Sequence, residues 1–167
     1  MAAQMGAAFF DADDFFWHES EPPYEAEREP SERLAMIMSA LSLSPSAVVA
    51  GSVTDWGDDL ENSFSLIVYL WVEADIRVAR LIRRESERFG QPLEGFIEWA
   101  SQYDEGRLPG LSRAIHERWL SERKSPVLRI EGNVSVVEGG ARVIEALSNL
   151  TSAEEKACPH DGNQKVP

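Results

Sequence analysis

The chain reads as an α/β protein: a parallel sheet with helices on both faces. Three observations carry that expectation. Short apolar runs alternate with amphipathic helical stretches through most of the length. The runs at 47–50 and 64–72 lack the polar alternation of a half-exposed strand, and the second is rich in Ile, Val, Tyr and Trp, as strands buried on both faces are. The first run, Phe9-Phe10-Asp11-Ala12-Asp13-Asp14-Phe15-Phe16-Trp17, is a strand that ends in carboxylates, and ligands of parallel sheets bind at that carboxyl edge.

The elements follow in order. Residues 1 to 8 read as the end of a helix with Gly6 as its stop, and Ala7 to Asp11 as a short buried strand. Residues 18 to 30, acidic and carrying Pro22, Pro23 and Pro30, have a loop composition. Ser31 then caps a helix whose Leu34, Ile37, Met38 and Leu41 share one face. Ala47 to Ala50 is a strand closed by the turn Gly51-Ser52. After the strand in 64–72, Asp75 caps a helix running to about Phe89, with Val78, Leu81 and Ile82 facing inward. Phe96, Trp99, Ala100 and Tyr103 have helical spacing, as do Leu111, Ile115 and Trp119 beyond the Pro109-Gly110 break; together they read as a mobile excursion over about 91–125. Pro126 to Ile130 is a last strand. Ser135 and Glu138 have capping-box spacing before a helix to Leu150, whose buried face is expected to hold Val137, Ala141 and Ile144. Residues 1–150 make one domain, and 151–167 read as a disordered tail.

Composition limits the function. A chain of 167 residues suits one domain and buries roughly 70% of its unfolded surface without a disulfide or metal. One cysteine, Cys158, forms no internal disulfide, the start lacks a signal-peptide pattern, and the longest apolar stretch is far short of the ~20 residues that span a bilayer. A cytoplasmic protein without a membrane partner is expected. The net charge of −13 repels nucleic acid, so the expected partner is a small molecule or nucleotide. Positive charge concentrates at Arg77, Arg80, Arg83, Arg84 and Arg88, and with 13 Arg to 3 Lys the chain favours the planar two-pronged donor that suits phosphate or carboxylate. His18, His116 and His160 have no metal-site spacing. The five tryptophans read as core and interface residues, with Trp17 and Trp56 also placed to stack on a flat substrate.

The acid-tipped first strand, E-R-E-P-S-E-R-L at 27–34, V-V-A-G-S at 48–52 and I-R-V-A-R-L-I-R-R-E-S-E-R-F-G at 76–90 resemble the P-loop phosphotransferases of the adenylate-kinase-like and shikimate-kinase-like group, over about residues 1 to 148. The resemblance implies a three-layer sandwich and ATP-dependent phosphoryl transfer to a small-molecule or nucleotide acceptor, with ATP and magnesium as cofactors. It places Asp11 near the metal and Asp13 on the acceptor hydroxyl, which a carboxylate can orient or deprotonate. It puts Arg80 and Arg84 on the ATP phosphates and on developing charge, with Arg113 as a returning lid arginine. Arg28, Arg33, Gly51 and Ser52 fall on the acceptor side, where a small residue lets backbone N–H groups approach the substrate.

The departure from the group is large. No G-x-x-x-x-G-K-[ST] occurs, and the first lysine is Lys124; residues 1 to 6 match only the last turns of the helix that follows such a loop. The resembled sheet has its first strand at the centre, between the segments matching 47–50 and 65–72, so its absence is expected to leave two facing edges and an inactive chain. A degenerate, non-catalytic binding module is the alternative. Bland readings stand beside each residue: acids that cap a strand end, a helix surface laced with ion pairs through Glu85 and Glu87, and solvated helix-end charges at Arg28 and Arg33.

Overall fold

Four short strands, each followed by at least one helix, organise a mixed α/β chain in a computed structural model that describes residues 2–21, 24–92 and 94–157. In chain order the first half comprises α1 (Ala2–Met5), β1 (Ala8–Asp11), α2 (Ala12–Phe16), α3 (Pro30–Ser42), β2 (Ala47–Ala50) and α4 (Asp58–Glu61). The second comprises β3 (Ile67–Trp71), α5 (Ala74–Phe89), α6 (Glu94–Ser101), α7 (Arg113–Ser121), β4 (Val127–Glu131) and α8 (Val136–Ala157). They form two units: residues 1–65 with 113–125, and residues 66–112 with 126–167.

In the first unit β1 and β2 pair in parallel, Ala8 opposite Ala47 through Asp11 opposite Ala50. The carboxylate run does not continue the strand. Asp11 turns the chain instead, its Oδ1 accepting the backbone N–H of Asp13 at 3.1 Å as the N-cap of α2, with Asp13 and Asp14 in the favourable first turn of that helix. The loop after β1 reaches Pro30, which stands inside the first turn of α3 with Glu29 as N-cap rather than Ser31, because proline's fixed φ and missing N–H suit a helix start. Pro22 and Pro23 lie outside the described residues. The apolar face of α3 buries Ile37 completely, beside Ala12, Val53, Trp56 and Leu60. Ile37 and Leu60 each contribute about 1.5–3 kcal/mol relative to exposure.

Helix α7 belongs to this unit, packing Trp119 against the same core and burying Leu120. The expected excursion over 91–125 is therefore divided, with α6 in the second unit and α7 in the first. A buried carboxylate supplies the physical reason. Glu61, 5% exposed at the end of α4, accepts the indole N–H of Trp119 at 2.6 Å and Nη1 of Arg123 at 2.5 Å. The same carboxylate takes the backbone N–H groups of Trp56 and Gly57 at 2.9 and 3.2 Å, so its charge is fully paired.

In the second unit β3 and β4 pair in parallel, Ile67 opposite Val127 through Trp71 opposite Glu131. Tyr69, Ala100, Ile130 and Val143 are its buried apolar residues. Helix α5 starts from Glu73, not Asp75, and stops at Gly90 in the left-handed conformation. Its inward row runs through Val78 and Leu81 to the buried Glu85, while Ile82 is 41% exposed. Ser135 accepts the N–H of Glu138 at 3.2 Å, as half of the expected capping box. The buried face of α8 differs from the expected one. Val143 is buried and Ala146 and Leu150 face Leu66, Val127 and Leu128, whereas Val137 is 85% and Ile144 42% exposed and Ala141 is exposed. Gly139 lies beside the Ile130 side chain on the face that also carries Val143, Ala146 and Leu150, a different helical phase from the one through Val137. Helix α8 continues through residues 151–157, the first part of the expected tail; 158–167, with Cys158 and His160, lie outside the described residues. Among the described residues no helix is long and apolar enough to cross a membrane.

Candidate functional site

The carboxyl ends of β1 and β2 bring four of the expected residues, Asp11, Asp13, Gly51 and Ser52, into the first unit. Gly51 (φ +105°) presses the end of β2 onto α2, and a Cβ there would lie 2.8 Å from the Ala12 Cβ, so no other residue fits without movement. Beyond it the Ser52 hydroxyl lies 3.0 Å from Oγ1 of Thr54 and 3.1 Å from Nε2 of His116 on α7. Burial holds the His116 imidazole below its ordinary range, favouring the neutral ring that can accept from or donate to Ser52. The sequence offers no spacing that joins these two residues. Asp11 has one oxygen on the α2 cap, and Asp13 stands in the exposed first turn beyond it.

Arg28 and Arg33 mark the entry to α3, and solvated helix-end charge describes neither. Arg28 donates from Nη1 to Nδ1 of His18 at 3.0 Å and to Glu32 at 3.3 Å, while its buried Nε meets no acceptor. Arg33 is only 9% exposed, with its guanidinium centred 4.6 Å over the ring of Phe16 and 5.1 Å over that of Trp56. Its Nε is buried without a hydrogen bond, and among the described residues no carboxylate pairs with it. Two aromatic faces supply about 0.5–2 kcal/mol each, against an ion desolvation penalty of several kcal/mol. Residue spacing treats an arginine as outward-facing; the signal that could have placed it is the aromatic supply at Phe16 and Trp56, both just past strand ends.

The arginine row of α5 lies in the second unit. Arg77 turns inward, donating to the carbonyls of Val72 and Ala100 at 2.9 and 3.2 Å and to Asp104 at 2.7 Å, over the Tyr103 ring. The Tyr103 hydroxyl lies 3.1 Å from that of Tyr69, and burial raises its pKa above the ordinary tyrosine range. Arg84 pairs with Glu85 through Nε and Nη2, both at 2.9 Å. Arg80 donates to Asn133 at 2.5 Å and, with Asp75, Ile76, Ala79 and Arg83, lines a shallow surface groove. Arg113 belongs to the first unit and lies 3.9 Å from Glu117. Among the described residues no three His, Cys, Asp or Glu side chains converge as metal ligands.

No family model and no solved structure matches the chain. Bacillus subtilis (strain 168) has a similar protein, the uncharacterized protein YqaC, which is 36% identical over 159 residues, covering 89% of this chain and 88% of the relative. At that identity and coverage, the chain belongs to the family of YqaC.

Proposed function

We propose that this chain carries the acceptor side and the lid side of a phosphotransferase related to the adenylate-kinase-like and shikimate-kinase-like P-loop enzymes. The observation that supports the reading is the strand pairing. β1 pairs only with β2 and β3 only with β4 among the described residues, all in parallel. Removing the central strand from the sheet order of that group leaves the same two pairs. A crossover connection runs from each strand to its partner, through α2 and α3 in the first unit, and through α5, α6 and α7 between β3 and β4.

In this reading Asp13 holds the acceptor hydroxyl, Gly51 and Ser52 approach the acceptor with backbone and hydroxyl, and Arg80 and Arg84 meet the phosphates of ATP. Asp11 keeps one carboxylate oxygen beyond its cap for magnesium, which takes most of its ligands from water and phosphate in any case. Arg84 must exchange Glu85 for phosphate, and Arg80 must exchange Asn133. The chain carries no glycine-rich phosphate loop, and that fact favours the second reading, a binding module of the same fold without phosphoryl transfer.

Calorimetry with Mg·ATP on a preparation that melts cooperatively separates the two. Saturable binding is expected for the enzyme reading, with Arg80→Ala and Arg84→Ala each weakening it by about 1–3 kcal/mol. Asp13→Asn is expected to lower acceptor binding or turnover while leaving ATP affinity intact. No saturable binding by the folded protein would end the nucleotide-using reading and leave the binding module.

A further inference from the structure

We propose that Ser52 and His116 form a nucleophile and base that transfer the acyl group of a small carboxylic ester to water. Gly51, at φ +105°, turns the chain out of β2 and sets the Ser52 hydroxyl beyond the strand end, the edge at which parallel sheets place their chemistry. There Oγ lies 3.1 Å from Nε2 of His116, the reach that a general base needs to take the proton of an attacking hydroxyl. Burial keeps the imidazole neutral at pH 7 and so able to accept that proton. Thr54 gives the hydrogen bond its direction. Its backbone N–H donates to Ser52 Oγ at 3.4 Å and its hydroxyl lies 3.0 Å away; with Thr54 donating both, the Ser52 proton points to Nε2 and His116 carries its own proton on Nδ1.

The base stands on a clamped element. Trp119, one turn beyond His116 on α7, and Arg123, just past the end of that helix, both donate to the buried Glu61 carboxylate, so the imidazole is held in place from within the unit. The Glu61–Arg123 tie is buried. Ser52, Thr54 and His116 instead each keep part of their surface exposed, and a small ester can reach them. Ser52 Oγ bonds to the ester carbonyl carbon as its proton passes to Nε2, while the Thr54 hydroxyl can swing its own proton to the new oxyanion. The alcohol leaves with the proton from Nε2 as its C–O bond breaks, giving acyl-Ser52. Water then attacks the acyl carbon, its proton passes through Nε2 back to Oγ, and the carboxylic acid departs. This chemistry goes beyond the phosphotransferase reading, in which Ser52 only hydrogen-bonds the acceptor, and uses neither ATP nor magnesium, so its outcome and that of the Mg·ATP calorimetry are independent.

The test reads covalent capture by the whole chain. Phenylmethanesulfonyl fluoride is expected to form one adduct, with Ser52 Oγ bonding to sulfur as fluoride leaves and Nε2 takes the proton, located by intact mass and peptide mapping. p-Nitrophenyl acetate is expected to release nitrophenolate in a burst of about one equivalent as acetyl-Ser52 forms. Ser52→Ala is expected to lose both adducts, and the exposed Ser148→Ala to keep them. His116→Gln, whose amide can still meet the Ser52 hydroxyl, is expected to keep the fold and to slow capture by about tenfold or more. Free imidazole is expected to restore capture to His116→Ala, a rescue that a merely structural histidine would not show. A folded parent without an adduct at Ser52 overturns the proposal, as does a folded His116→Gln protein captured less than about tenfold more slowly than the parent. If neither His116 variant melts cooperatively, the parent map decides: an adduct confined to Ser52 supports the pair, and one shared with exposed serines overturns it.

Discussion

Removing the Glu61 carboxylate tests how the first unit is held together. Glu61→Ala leaves the Arg123 guanidinium buried without its anion, since both side chains are 6% exposed, and strips acceptors from the Trp119 indole and two backbone N–H groups. Breaking a buried pair by removing one partner costs about 3–5 kcal/mol, out of a total stability of about 5–15 kcal/mol. At ~2–4 °C per kcal/mol for a chain of this size, the melting temperature is expected to fall by about 6–20 °C. Circular dichroism gives the melt, and indole fluorescence follows Trp119 as its environment wets. The double variant Glu61→Met with Arg123→Met removes both charges and is expected to recover most of the loss, because a buried pair contributes little beyond cancelling its own desolvation. A single-variant loss below about 1 kcal/mol, or a double variant no better than the single, would refute the view that this carboxylate ties α7 to the unit.

Gly51→Ala meets both the Ala12 side chain at 2.8 Å and a φ of +105°. It is expected to cost about 1–3 kcal/mol in denaturant unfolding, and an unchanged midpoint would mean that β2 and α2 do not press together there. His116 predicts a pH dependence. Its folded pKa is depressed below the ordinary 6.5, so the unfolded chain binds the proton first and the stabilising share of the neutral ring is full above that value and is lost as pH falls below it. The stability advantage of the parent over His116→Gln is expected to shrink between pH 7 and pH 5; a constant difference across that interval would show that the imidazole is not desolvated.

Alternation of apolar runs with helical faces was enough to place all four strands within a few residues, but the expected burial on both faces is not met: Phe9 is 60% and Leu70 70% exposed, so the runs recorded strand propensity rather than full burial. Periodicity failed where a neighbouring segment overrode it. In α8 the inward phase runs through Val143, Ala146 and Leu150 rather than Val137, Ala141 and Ile144. In α5 the inward face holds Glu85 while Ile82 is 41% exposed. The candidate site was partly legible: Asp11, Asp13, Gly51 and Ser52 stand at strand ends as read. The Ser52–His116 pair spans 64 residues, a separation no local pattern records. The burial of Arg33 was hidden for a different reason, since its cost depends on rings that arrive from two other segments.

Arg77 and Arg33 provide an internal comparison. Both stand in the first half of a helix that follows a strand, and both are covered, yet their hydrogen-bonding accounts differ. Arg77 donates to three oxygens and covers a tyrosine ring; Arg33 covers two rings and meets no acceptor at its buried Nε. Replacing each by methionine keeps length and apolar stem while removing the charge. Arg77→Met takes a donor from two carbonyls and from the Asp104 carboxylate, which keeps the Trp71 indole N–H, and is expected to cost about 1–3 kcal/mol. Arg33→Met removes an uncompensated ion and strands nothing, so its stability is expected to equal or exceed the parent's. The two shifts should therefore differ in size or sign under identical buffer, measured by chemical denaturation of each variant. Equal losses would mean that covering an arginine with rings stabilises a helix entry as well as hydrogen bonds do.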